Sequence, residues 1–68
     1  MRKDFLKEMA NWVVINRKKI TKKVGLEIAK NLNLTNDEMK ELWDYLNTKE
    51  GTQEFVSYLR KARNEWLI

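Results

Sequence analysis

Five cations fall within the seven residues Arg17-Lys18-Lys19-Ile20-Thr21-Lys22-Lys23. Clustered Lys and Arg need no special geometry to neutralise phosphates, so this run is a candidate contact for the backbone of duplex DNA. The competing reading is a solvated connection whose first cations offset the negative end of a preceding helix dipole. A second basic set lies further along, where Arg60, Lys61 and Arg63 accompany Ser57 and Asn64. These residue types can bond both phosphates and bases, although an ordinary solvated helix face looks the same. The third constellation is acidic: Asp37, Glu41 and Asp44 stand at i, i+4 and i+7, which lines one helical face. Such a stripe can hold a divalent cation weakly, imitate DNA phosphates towards a basic partner, or simply be solvated. Tyr45 lies off the apolar stripe of the same helix and joins it as a candidate protein contact.

Other chemistry is scarce. The chain has no histidine and no cysteine, which removes the usual zinc ligands, the usual neutral-pH general base and any disulfide framework. No nucleophile stands in a recognisable constellation, and no glycine-rich loop could cradle a phosphate. The expectation is a non-catalytic protein with no cofactor and no metal. No run approaches the roughly 20 apolar residues needed to span a bilayer. The opening MRKDFLKEM also lacks the apolar core of a signal peptide. Together these predict a cytoplasmic protein without a membrane partner.

The net charge of +4 is divided unequally. Residues 1–34 carry nine basic and three acidic side chains, a net of +6, whereas residues 35–68 carry five and seven, a net of −2. A basic half suits an anionic partner such as nucleic acid, and charge of this kind bears on association rather than on fold.

The elements that must position these groups read as helices. Sixty-eight residues with two glycines and no proline predict one domain, 1–68, near the lower size limit for a core without staples. The expected architecture is all-α, a small four-helix bundle with helices over about 4–16, 22–32, 36–48 and 52–66. Phe5, Leu6, Met9, Ala10, Trp12 and Val13 give the first helix a wide apolar stripe, which Val14 and Ile15 extend around it. The β-branched run Trp12-Val13-Val14-Ile15 would also suit a strand, but no second strand exists for it to pair with. Thr21 is placed to cap the second helix, and Asn33 suits a left-handed residue ending it. Thr35-x-x-Glu38 has the pattern of a capping box for the third, whose stripe is Met39, Leu42, Trp43 and Leu46. A break around Lys49-Glu50-Gly51 would precede a fourth helix capped by Thr52, with Phe55, Leu59, Ala62 and Trp66 facing the core.

Ile28, Ala29, Leu32, Asn33, Leu34, Met39 and Leu42 stand in the order that crosses two helices about a tight turn. The segment Gly25–Asn47 therefore resembles a helix-turn-helix, and EIAKNLNLTNDEMK is similar to the second and third helices of homeodomain-like proteins. That resemblance implies a helix-turn-helix core and, in its functional form, a recognition helix in the major groove. The reading residues do not match. Tyr45 occupies the place of the base-reading Asn, and Leu46 and Asn47 replace the basic residues that follow it. The outward positions Thr35, Asn36, Asp37, Lys40, Glu41 and Asp44 set three carboxylates against one lysine, which phosphates would repel.

The expected function is a small DNA-binding or DNA-associated regulator, of a size and composition suited to a phage or mobile element. It would use Arg17, Lys18, Lys19, Lys22, Lys23, Arg60, Lys61 and Arg63. The alternative is a phage-type inhibitor or adaptor that docks on a host protein through Asp37, Glu41, Asp44 and Tyr45. The surplus apolar surface of the first helix, or Trp66-Leu67-Ile68, would also suit a homodimer contact.

Overall fold

A computed structural model describes residues 2–66. They form four helices, α1 (Asp4–Asn16), α2 (Lys22–Asn31), α3 (Asn36–Leu46) and α4 (Lys49–Trp66), so the all-α four-helix bundle is the observed architecture. The run Trp12–Ile15 is helical throughout.

Local capping chemistry sets most of the helix ends. Thr21 Oγ1 accepts the Val24 N–H at the start of α2. At the start of α3, Thr35 Oγ1 accepts the Glu38 N–H while Glu38 Oε1 accepts the Thr35 N–H, the reciprocal pair of a capping box. Between them Asn33 takes the left-handed conformation, with φ 57°. The Leu34 N–H then reaches the Ala29 carbonyl and the Asn33 N–H the Lys30 carbonyl, the two bonds of a Schellman motif. Arg2 adds a further partner, its Nη1 donating to the Leu32 carbonyl at 2.8 Å.

The start of α4 departs from expectation. It lies at Lys49, not Thr52, and the capping oxygen is Thr48 Oγ1, which accepts the Gly51 N–H. Thr52 Oγ1 instead points back to within hydrogen-bond distance of the Leu46 and Thr48 carbonyls, which share its single proton. Gly51 is buried in the first turn of α4, where a Cβ would collide with the Tyr45 carbonyl and the Leu46 backbone. The glycine serves close approach of α3 and α4 rather than a chain reversal, which is why composition alone read it as a break.

Phe5, Leu6, Met9, Ala29 and Leu42 form the buried centre, surrounded by half-buried side chains that include Ile28, Leu32, Trp43, Phe55 and Tyr58. Burying a Leu, Phe or Met side chain is worth roughly 1.5–3 kcal/mol, so these few residues dominate the folding energy of so short a chain. Trp43 packs edge-on against Phe5, with ring centroids 6.1 Å apart. The same indole lies over Gly25, so α2 and α3 meet where α2 has no side chain. Most of the remaining helix packing is between α1 and α4. These two run parallel: Lys3 pairs with Glu54 near their starts, and Val13, Arg17 and Arg63 gather near their ends. Alanines at Ala10 and Ala62, both buried, keep side-chain bulk low on these helices.

Trp66 does not face the core as its spacing suggested; it is 55% exposed. Ile15 is likewise 54% exposed, while its neighbour Val14 is buried. Leu67 and Ile68, included above in a possible dimer contact, lie outside the described residues. Among the described residues no helix is long and apolar enough to cross a membrane.

Candidate nucleic-acid interface

The parallel course of α1 and α4 decides which cations meet. Arg17 ends α1 in the left-handed conformation, φ 54°, with its N–H still bonded to the Val13 carbonyl. The chain turns away there and brings Lys18 and Lys19 to the same groove as Arg63 of α4. Arg17, Lys18 and Lys19 thus line one open groove together with Arg63, and Val13 and Val14 form part of its wall. Its volume is about 410 Å³. That falls in the range of roughly 300–1,000 Å³ typical of ligand sites.

Part of this clustering has a structural cause. Two helices end here, and each C-terminus carries roughly half a negative charge, so cations are favoured at this end of the bundle. The magnitudes do not cancel. Four formal positive charges against about one negative leave roughly three available to an anion.

The other basic candidates go elsewhere. Lys22 borders a separate groove of about 310 Å³ between α2 and α3, beside Leu26, Met39, Trp43 and Asp44. Lys23 and Arg60 are exposed and line neither groove. Lys61 lies over the Tyr58 ring, 5.9 Å from its centroid, in a small cleft of about 100 Å³ with Lys7, Asn11 and Glu65. Ser57, Arg60, Lys61 and Asn64, at i, i+3, i+4 and i+7 of α4, are all exposed and share one face of that helix. Of the eight cations singled out in the sequence, Arg17, Lys18, Lys19 and Arg63 line one groove, while Lys22 and Lys23 start α2 and Arg60 and Lys61 lie on the exposed face of α4.

On α3, Asp37, Glu41 and Asp44 are exposed, as their spacing required. Among the described residues, no group of three or more acidic side chains is arranged to hold a metal ion. Tyr45, the candidate protein contact, also has a partner within the chain. It is half-buried, and its hydroxyl donates to Glu54 Oε2 at 2.5 Å, tying α3 to α4. Lys3 Nζ approaches the other Glu54 oxygen at 3.0 Å. The Tyr45 hydrogen bond, then Lys3, hold the Glu54 carboxyl below its ordinary range. The same bond pushes the Tyr45 phenol up.

Two features of the groove had no clear signal in the sequence. Val13 and Val14 belonged to an apolar stripe, with nothing to show that it continued into a basic site. Arg63 stood apart from the 17–23 run, and only the parallel packing of α1 and α4 joins them. No protein-family model, curated protein or solved structure matches this chain.

Proposed function

We propose that this protein is a small, non-catalytic DNA-binding or DNA-associated regulator that holds the phosphate backbone at the groove formed by Arg17, Lys18, Lys19 and Arg63. The convergence of these four cations from two distant parts of the chain carries the reading. Such a site neutralises phosphates without reading bases, which suits association with little sequence preference. The acidic exterior of α3 supports the same assignment by elimination. With Asp37, Glu41 and Asp44 exposed, that helix would be repelled from a groove it was meant to read.

The test is fluorescence anisotropy with labelled duplex DNA of mixed sequence over a range of salt. Four neutralised phosphates give a log–log salt slope of about −3 to −4. Lys18→Glu combined with Lys19→Glu is expected to abolish binding. Absence of binding at low salt to duplex and to single-stranded DNA alike would overturn the reading.

A further inference from the structure

We infer that the groove takes single-stranded nucleic acid in preference to duplex, seating phosphates on its cations and a base against Trp66 and the Val13–Val14 wall. The inference rests on the nucleic-acid reading above and adds the strand state of the ligand. Three observations carry it.

The first is the composition of the groove. A duplex keeps its bases stacked and offers a surface protein only phosphates and groove edges, so an apolar wall inside a cationic rim gains nothing from it. Val13 and Val14 line the groove together with Arg17 and Arg63. Val14 is almost fully buried, so half-buried Val13 supplies most of the apolar surface left open. An unstacked base can cover it while its flanking phosphates reach the rim.

The second is the exposure of Trp66. This indole, the largest side chain type, is 55% exposed. It follows Arg63 by three positions on the same helix, which places the two side chains as neighbours on its surface, about 5–6 Å apart at Cβ. Trp66 is not itself part of the groove lining, but as the helical neighbour of Arg63 it offers an exposed aromatic of the kind on which single strands stack their bases. Such stacking tolerates any base because every base has a π-face.

The third is the nature of the cations. Arg17 and Arg63 are guanidinium groups, whose planes stack on bases as well as bond phosphates, whereas Lys18 and Lys19 act as point charges. The site therefore offers both planar and ionic partners within one opening.

The experiment compares a short labelled oligothymidylate with a duplex of the same length, using the full chain, its Trp66→Ala variant and its Trp66→Phe variant. The expected result is tighter binding of the single strand. Trp66→Ala should weaken that binding about 5- to 150-fold while changing duplex binding little, and Trp66→Phe should restore most of it. The single-strand salt slope should be near −3, shallower than that of the duplex. Circular dichroism of each variant separates lost stacking from lost folding. Equal or tighter duplex binding, with Trp66→Ala neutral, overturns this inference and leaves the DNA reading standing. No binding of either strand form overturns both.

Discussion

The Tyr45 hydroxyl donates to Glu54 Oε2 at 2.5 Å, joining the last turn of α3 to the second turn of α4. Lys3 closes the arrangement from the start of α1. Three helices are thus held by one carboxylate, at the end of the bundle opposite the basic groove. The site and the clamp are separate, so each can be perturbed without the other.

Acid should loosen the clamp. Glu54 is held below its ordinary value of 4.5, so its contribution is present above that value and is lost as pH falls through the lower folded value. Asp4, bonded to Arg2, and Glu38, bonded to the Thr35 N–H, are displaced the same way and add to the effect. Thermal unfolding followed by circular dichroism should show a Tm that falls on acidification through this range. Tyr45→Phe removes the largest cause of the Glu54 shift and should move its part of the loss to higher pH. A Tm indifferent to acid would contradict the assignment.

The two glycines should respond differently to alanine. Helix propensity alone predicts that each change stabilises by roughly 1 kcal/mol. At Gly51 the new Cβ meets the Tyr45 carbonyl and Leu46 backbone, which cannot move without parting α3 from α4. Gly51→Ala should therefore cost about 1–3 kcal/mol or more in urea unfolding. At Gly25 it meets the Trp43 ring, a side chain that can shift, so Gly25→Ala should cost less. A stabilising Gly51→Ala would contradict the close approach described here.

Arg17 allows stability and binding to be separated. A non-glycine residue in the left-handed region carries a strain of about 1–2 kcal/mol, and glycine relieves it. Arg17→Gly should raise stability by up to about 1 kcal/mol, since glycine also gives the unfolded chain more freedom. The same change removes a cation from the groove and should weaken nucleic-acid binding. A variant that is more stable and binds equally well would remove Arg17 from the site.

The acidic face of α3 should be dispensable for nucleic acid. Asp37→Lys with Glu41→Lys is expected to leave affinity unchanged or to raise it, because the change removes repulsion without touching the groove. Anisotropy at fixed salt measures this directly. A loss of binding would place α3 at the interface after all.

Much of the fold was legible because it is written in local chemistry. Thr21, Asn33 and the Thr35–Glu38 pair each act within a few residues of their own position, and all form as their types require. The start of α4 was not legible, because Gly51 answers to the Tyr45 carbonyl of another helix and not to its own neighbours. The Tyr45–Glu54 bond was not legible for the same reason: Glu54 lies on α4, beyond the reach of a periodicity argument. The candidate site was half legible. The run 17–23 announced itself by charge, but which of its members meet Arg63 depends on α1 and α4 running parallel, and no local signal specifies that.

Whether Arg63 and the Arg17–Lys19 run act as one site is settled by the salt dependence of binding in Arg63→Ala. Removal of one phosphate contact from a shared site should weaken binding across all sequences and reduce the log–log salt slope by about one. An affinity and slope identical to those of the unsubstituted protein would show that the groove, as a joint site, does not hold nucleic acid.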